Sequence, residues 1–196
     1  MVELTPPPRQ VAEEVWPRIP NVYGVDLRAA LPDDAEFLSD MLVEAINWPP
    51  DRAWSKRQIL DDARNAHYVG GWKRTTDFGV VAIGGPAPGW PAACGEPGSP
   101  IGAAWLRYLP ADDPGYGFVD ADTPELTMAL YQPWRGQGIG RAVLRRLLGD
   151  AAERGISRIS LSVEPGNRAQ QLYESEGFVV VGTDVGGSFT MLREGA

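Results

Sequence analysis

Three glycines alternate with other residues directly before a helix-like apolar pattern. Gly136, Gly138 and Gly140 follow a strand-like run that ends at Tyr131, and the apolar stripe of the next segment begins at Ile139. Glycines at a helix N-terminus leave backbone N–H groups unshielded by side chains, and such groups bind anions. The spacing predicts a turn that holds phosphate groups. Glycines alone are equally consistent with a turn required only for helix–sheet packing.

Two common nucleotide-binding motifs do not fit this turn. A dinucleotide fingerprint needs its third glycine where Arg141 or Val143 stands, depending on the starting glycine. A P-loop needs a Gly-Lys-Ser/Thr sequence, which the turn lacks. Hydride transfer and nucleoside triphosphate hydrolysis are therefore disfavoured.

The turn and two later segments resemble the GNAT family of acyl-CoA-dependent N-acetyltransferases. They carry, in chain order, Arg135-x-x-Gly138-x-Gly140, Asn167, Leu172-Tyr173 and Gly177-Phe178. The resemblance is strong over residues 125–181 and elsewhere covers only the order of the elements. It departs from the family at Gln132, a position where proline is common.

The resemblance implies acetyl-CoA as cosubstrate, held by its pyrophosphate at the turn, and no metal ion. The cofactor-binding residues that it implies are Met128, Leu130, Arg135, Gly136, Gln137, Gly138, Ile139, Gly140, Arg141 and Asn167. Met128 and Leu130 are expected to contact the pantetheine arm through backbone groups, where the family's strand carries a bulge and splays from its parallel neighbour. Asn167 is expected to hydrogen-bond the cofactor, and it also suits a helix cap.

The implied reaction is direct acetyl transfer to a primary amine, which needs a base for the amine and an acid for the departing thiolate. Tyr173 matches the family's tyrosine beside the thioester sulfur and is the candidate acid. Glu125, near the start of the strand before the turn, is the candidate base. Asp120 and Asp122 are alternatives to Glu125, because the sequence does not show which acid faces the cleft.

The single histidine and the single cysteine are weaker candidates. His67 lies at the end of a predicted helix, where a structural role is common. Cys94 lies in a Gly/Pro-rich segment with no basic residue near it in sequence. One residue of each type also excludes a multi-histidine metal site and an internal disulfide.

The net charge favours a positively charged partner. The chain has 26 Asp and Glu against 18 Lys and Arg, a formal net charge of -8, which argues against nucleic acid because that binding depends on cationic residues. Aromatic rings and carboxylates suit a protonated amine of a small molecule or peptide. In the segments expected to bind it, these are Trp48, Trp54, Trp72, Trp90, Asp112, Asp113, Asp120 and Asp122.

The elements that must position these residues are those of a single α/β (α+β) domain over residues 23–196. Apolar periodicity predicts strands near 25–29, 80–83, 101–109, 126–131, 158–163, 178–181 and 189–192, and helices near 37–46, 55–66, 139–153 and 168–176. A strand, a helix and a strand over 126–163 predict a parallel pair. Together with the resemblance, this predicts a GNAT-like mixed sheet of about six or seven strands, splayed around an acyl-CoA cleft and flanked by about four helices.

Two segments lie outside the predicted sheet. Residues 1–22 are proline-rich and are predicted to form an extended arm, and residues 84–100 are predicted to form a mobile loop. No secretory signal and no membrane-spanning run is recognisable, so a cytoplasmic protein without membrane association is expected. A homodimer is compatible with the resemblance. A CoA-binding regulatory module without turnover and a scaffold with a tryptophan-bearing contact surface are the alternative functions.

Overall fold

The computed structural model describes residues 24–84, 98–184 and 186–195. The predicted N-terminal arm and most of the predicted 84–100 loop, with Trp90 and Cys94, lie outside the described residues. The strands are β1 (Val25–Ala29), β2 (Phe78–Gly84), β3 (Pro100–Arg107), β4 (Glu125–Leu130), β5 (Arg158–Val163), β6 (Val179–Thr183) and β7 (Phe189–Glu194). The helices are α1 (Ala35–Ile46), α2 (Lys56–Leu60), α3 (Ala63–Ala66), α4 (Ile139–Glu153) and α5 (Ala169–Ser175).

The seven strands form one mixed sheet in the order β1-β2-β3-β4-β5-β7-β6. Among the described strands, only β4 and β5 pair in parallel, and α4 joins them, as the strand–helix–strand spacing predicted. The helix predicted over residues 55–66 is instead two short helices, α2 and α3. Asp62 separates them, because its side chain accepts the Arg64 N–H at 2.9 Å and so begins a new helix at Ala63.

The two parallel strands touch at one end and then diverge. Their pairing is confined to Glu125 opposite Ser160, with a hydrogen bond from the Ser160 N–H to the Pro124 carbonyl at 3.0 Å. On its other side β4 pairs with β3 in continuous register, from Arg107 opposite Glu125 to Gly102 opposite Leu130. The bulge implied by the resemblance is therefore not present in β4, whereas the implied splay is. The sheet opens a gap beside the second half of β4.

Alternation along β4 decides which groups face this gap. The Tyr131 N–H donates to the Ile101 carbonyl at 3.0 Å, so Ala129 and Thr127 also turn their peptide groups towards β3. The peptide groups of Met128 and Leu130 consequently face the gap and β5.

Helices cover both faces of the sheet. The buried stripe of α4, which includes Val143, Leu144 and Leu147, packs on one face. Leu38 and Met41 of α1 pack on the other face against Trp105 and its neighbours. In the described ranges, no helix has the length and apolar character needed to cross a bilayer.

Candidate active site

Two adjoining cavities lie over the gap between β4 and β5. The glycine groove, of about 730 Å³, runs along the second half of β4, the turn before α4 and the start of α5. The glutamate pocket, of about 330 Å³, lies beside the first half of β4 and includes Tyr68, Tyr116, Glu125 and Asp184 in its wall. The residues that line both cavities are Ala45, Trp48, Met128, Asn167 and Tyr173.

The turn before α4 exposes backbone N–H groups to the glycine groove. Gly136 and Gly138 have positive φ angles of 74° and 82°, a conformation that glycine adopts readily. A Cβ atom at Gly138 would meet no atom within 4 Å, so the space above this residue is open. The first helical turn is closed by the Ala142 N–H to the Gly138 carbonyl at 3.1 Å. The preceding N–H groups of the helix therefore face outwards at its positive end, an arrangement that fits an anion.

Most of the predicted cofactor-binding residues line this groove. They are Met128, Leu130, Arg135, Gly136, Gly138, Gly140, Arg141 and Asn167. The side chains of the other two are engaged elsewhere: Gln137 Nε2 donates to the Pro133 carbonyl at 2.7 Å, and Ile139 is buried in the core under α4. The Ile139 side chain is therefore turned away from the groove, and the Gln137 side chain is tied to the turn by one of its hydrogens.

The two arginines of the turn are braced within the protein. Arg135 Nε donates to the Leu130 carbonyl at 2.8 Å, and its Nη2 pairs with Glu44 Oε2 at 2.7 Å. The Leu130 carbonyl is thereby occupied, which leaves the N–H of Leu130 for the expected pantetheine contact. Arg141 Nη1 hydrogen-bonds Ser175 Oγ at 2.9 Å and pairs with Glu176.

Asn167 caps the helix that follows it. Its Oδ1 accepts the Ala169 N–H at 2.9 Å at the start of α5. The residue also lines both cavities. The capping role is thus observed, whereas the expected hydrogen bond to the cofactor stays a prediction.

Glu125 is a buried carboxyl with an asymmetric environment. Its Oε1 accepts the Tyr68 hydroxyl at 2.5 Å and the Gly117 N–H at 2.8 Å. Its Oε2 is buried without a hydrogen-bond partner among the described residues. Burial raises the pKa of Glu125 to about 7, against the lowering influence of these two hydrogen bonds and of the Arg64 charge. A carboxyl that titrates near neutral pH is suited to accept a proton from a substrate.

The other acids proposed as bases lie away from the pocket. Asp120 is paired with Arg158 at 2.6 Å and accepts the Thr123 hydroxyl at 2.7 Å, and Asp122 is exposed. Glu125 is therefore the one of the three that lines the described pocket wall. Asp113 was expected near the acceptor amine. Its Oδ1 instead lies 3.2 Å from His67 Nδ1.

The carboxylates that do line the pocket are Glu125, Glu164 and Asp184. The sequence reasoning did not single out Glu164 or Asp184. Glu164 Oε2 accepts the Trp48 Nε1–H at 2.7 Å, and its Oε1 pairs with Arg52 at 2.8 Å. These contacts hold the segment after α1 over the pocket, and they join residues more than 100 positions apart, which no local pattern reveals.

Three of the four tryptophans expected near the acceptor lie in the described ranges, and they do not share one environment. Trp48 and Trp54 line the glutamate pocket. Trp72 Nε1 instead donates to the Leu31 carbonyl at 2.9 Å, which ties it to the entry of α1.

Tyr173 connects the two cavities. It is buried, packs edge-to-face on Phe178 with ring centroids 5.7 Å apart, and lines both the groove and the pocket. Burial raises the pKa of Tyr173 well above its usual range, so the hydroxyl keeps its hydrogen at neutral pH. The side chain packs in the core and forms part of the wall of both cavities.

His67 has a structural environment. Its ring packs against Tyr68 at a centroid distance of 4.7 Å, and burial lowers the pKa of His67. Within the described ranges, no group of three His, Cys, Asp or Glu side chains gathers in a way that would hold a metal ion.

Residues 36–178 match the family model described as Acetyltransferase (GNAT) family. The chain belongs to this family. A curated relative, the mycothiol acetyltransferase of Propionibacterium freudenreichii, is 34% identical over 92 residues, which are 46% of this chain and only 28% of that protein.

Solved structures share the fold at low sequence identity, and the predicted GNAT-like fold is confirmed. The GNAT domain of PAT from S. lividans has a TM-score of 0.58 and 20% identity, over 87% of this chain and 90% of that one. The PaiA N-acetyltransferase of Thermoplasma acidophilum in complex with coenzyme A has a TM-score of 0.54 and 19% identity, over 87% and 98%. YncA from Salmonella typhimurium with acetyl-CoA has a TM-score of 0.58 and 21% identity, over 87% and 93%.

Proposed function

We propose that the protein transfers the acetyl group of acetyl-CoA to a primary amine of a small molecule or peptide. The observation that carries this proposal is the junction of the two cavities at Tyr173. An anion-binding turn lies on one side of that residue, and a buried carboxyl that titrates near neutral pH lies on the other. The structural neighbours that contain coenzyme A or acetyl-CoA support the same cosubstrate here.

The glycine groove fits the polar and the extended parts of acetyl-CoA. The outward N–H groups at the start of α4 suit the pyrophosphate, because hydrogen bonds and the helix dipole both favour negative charge there. The peptide groups of Met128 and Leu130 that face the gap suit the amide-bearing pantetheine arm. Acetyl-CoA brings the reactive thioester carbonyl, and the protein orients that carbonyl for the reaction.

The pocket residues then account for the movement of protons. Glu125 removes one proton from the amine as the C–N bond to the acetyl carbon forms. Tyr173 donates its hydroxyl proton to the sulfur as the C–S bond breaks. The products are an amide and a free thiol, with one proton transferred in net from nitrogen to sulfur, and solvent exchange restores both side chains.

Replacing Tyr173 by phenylalanine is expected to lower kcat about 10²-fold with little change in acetyl-CoA affinity. Phenylalanine keeps the packing on Phe178 and removes only the proton donor. Thiol release gives kcat, and calorimetry gives the affinity. Tyr108→Phe, the same change at a partly exposed tyrosine beyond both described cavity walls, is the control. An unchanged kcat for Tyr173→Phe removes this residue from the mechanism.

The charges of the pocket favour an acceptor with a second positive group. Arg52 neutralises Glu164, whereas Asp184 has no cationic partner among the described residues. Asp184 Oδ1 accepts the Ser188 N–H at 2.9 Å, which orients the carboxylate within the pocket wall. Glu125 and Asp184 therefore suit an amine that reacts at one end and carries an ammonium group at the other.

Asp184→Asn is expected to lower kcat/KM about tenfold for 1,4-diaminobutane and to leave butylamine unchanged. The size of the effect corresponds to loss of one hydrogen bond between charged groups. The measurement is thiol release with the two amines as a matched pair, and the exposed Asp33→Asn is the control variant. Equal losses for both amines would contradict recognition of a second charge.

A CoA-binding module without turnover is the second candidate, since groove and pocket are compatible with binding alone. A thermal-shift screen with acetyl-CoA, run alongside thiol release with a panel of amines, separates the two. Stabilisation without thiol release from any amine favours the module. The homodimer and the cytoplasmic location stay predictions.

A further inference from the structure

Tyr68 makes two hydrogen bonds beside the candidate base. The residue follows α3, is 5% exposed, and donates its hydroxyl hydrogen to Glu125 Oε1 at 2.5 Å. The Tyr68 hydroxyl oxygen in turn accepts the Tyr116 N–H at 2.7 Å. Because Tyr116 supplies a hydrogen, the hydroxyl hydrogen of Tyr68 is directed to Glu125.

Side chains of β3 hold the backbone on both sides of Tyr68. Trp105 Nε1 donates to the Tyr68 carbonyl at 2.9 Å. Arg107 Nη1 donates to the His67 carbonyl at 2.7 Å and to the Gly70 carbonyl at 2.8 Å. Arg107 is itself buried and paired with Asp77, so the side chain that holds these two carbonyls is fixed in the core. These contacts fix the position from which the Tyr68 ring reaches Glu125.

Gly115 closes over this pair and leaves no room there for a side chain. A Cβ atom at Gly115 would lie 2.0 Å from Glu125 Oε2 and 2.6 Å from the Tyr68 hydroxyl. The Tyr116 ring stacks on the Tyr68 ring with an interplanar angle of 2° and a centroid distance of 6.4 Å. The carboxyl and the hydroxyl are therefore enclosed together.

We propose that Tyr68 is a positioning residue for Glu125: its hydroxyl hydrogen holds Oε1 in place and stabilises the ionised carboxylate that receives the amine proton. This inference rests on the proposed function. Burial disfavours the ionised form, and the Tyr68 hydroxyl and the Gly117 N–H are the groups that offset it directly. Burial, with the charge of Glu125, raises the pKa of Tyr68 well above its usual range, so Tyr68 stays a donor.

Few other charges face Glu125. Arg64 of α3 lies over the Tyr116 ring at 4.0 Å and lowers the pKa of Glu125 from a distance. Arg107, opposite Glu125 on β3, is committed to Asp77. Ser160, opposite on β5, is uncharged, and Asp184 acts on Tyr116 rather than on Glu125. If the pKa of Glu125 changes when the Tyr68 hydroxyl is removed, the change is therefore expected to come mainly from the lost hydrogen bond.

Tyr68→Phe is expected to raise the titration midpoint of Glu125 by about one pH unit. The readout is ¹³C NMR of glutamate carboxyls, with Glu125→Gln used to assign the signal. The pH profile of acetyl transfer should shift to higher pH by the same amount, with a rate about fivefold lower at pH 7 that recovers at alkaline pH. A loss of packing alone would lower the rate equally at every pH.

Tyr108→Phe is the control and is expected to leave both the midpoint and the profile unchanged. If Tyr68→Phe fails to fold, 3-fluorotyrosine in place of Tyr68 keeps the ring and the hydroxyl but makes that hydroxyl a stronger hydrogen-bond donor to Glu125, so it is expected to move the midpoint downwards. An unshifted midpoint in the folded variant overturns the inference. If the unmodified protein releases no thiol with any amine, the proposed function fails. The NMR titration still decides whether the Tyr68 hydroxyl lowers the titration midpoint of Glu125.

Discussion

Glu125→Gln is expected to lower kcat by about 10²- to 10⁴-fold while acetyl-CoA affinity stays unchanged. Glutamine has the same shape, and its Oε1 still accepts hydrogen bonds from the Tyr68 hydroxyl and the Gly117 N–H. It cannot take a proton from the amine. Single-turnover thiol release measures the chemical step, and calorimetry measures the affinity. A kcat within twofold of the unmodified protein would assign the base to another group.

Glu125→Gln is also expected to change how the free energy of unfolding depends on pH. The same measurement shows whether the variant is folded, so that a lower kcat can be distinguished from unfolding. Burial raises the pKa of Glu125 from 4.5 to about 7, so the folded protein holds this proton more tightly than the unfolded chain does. The associated stability is present below pH 4.5 and is lost as the pH rises through about 7, on the order of 3 kcal/mol. Glutamine does not ionise, so the variant should lose less stability than the unmodified protein between pH 5 and pH 8. Glu153→Gln, on the exposed end of α4, is the control in urea unfolding.

Gly138→Val is expected to weaken acetyl-CoA binding about 100-fold. Its side chain would lie over the outward N–H groups at the start of α4 and displace the phosphates from at least two charge-assisted hydrogen bonds. The positive φ of 82° also strains a branched residue, at a cost of about 1–2 kcal/mol in stability. Calorimetry with acetyl-CoA tests the first effect, and urea unfolding tests the second.

The control for this variant lies in the same helix. Gly149 is exposed, has open space around it and carries no positive φ, so Gly149→Val should leave affinity unchanged. In the free protein a Cβ at position 138 meets no atom within 4 Å, so the strain of the variant comes from its positive φ alone. A loss of affinity in a variant that is destabilised by no more than this strain therefore reports on the ligand. Affinity within threefold of the unmodified protein would place the phosphates elsewhere.

Local patterns predicted much of the fold correctly. The strand at Val25–Ala29 and the helix at Ile139–Glu153 have the predicted bounds, since period and capping residues act over a few positions. The prediction of a single helix over residues 55–66 was wrong. The apolar periodicity of this segment is weak, and the cap at Asp62 starts a new helix. The continuous register of β4 likewise depends on its pairing with β3, which no pattern within β4 contains.

The sequence by itself determined the glycine turn before α4, and its resemblance to the GNAT family singled out Tyr173 as a candidate. The turn follows from residue types at short, fixed spacings, where backbone conformation depends on neighbours in the chain. Only the tertiary structure decided that Glu125, rather than Asp120 or Asp122, enters the pocket. That choice depends on burial and on Tyr68, which lies 57 residues away in the chain. Distant contacts of this kind set the pKa of Glu125, because desolvation and hydrogen bonding arise only when the chain has folded.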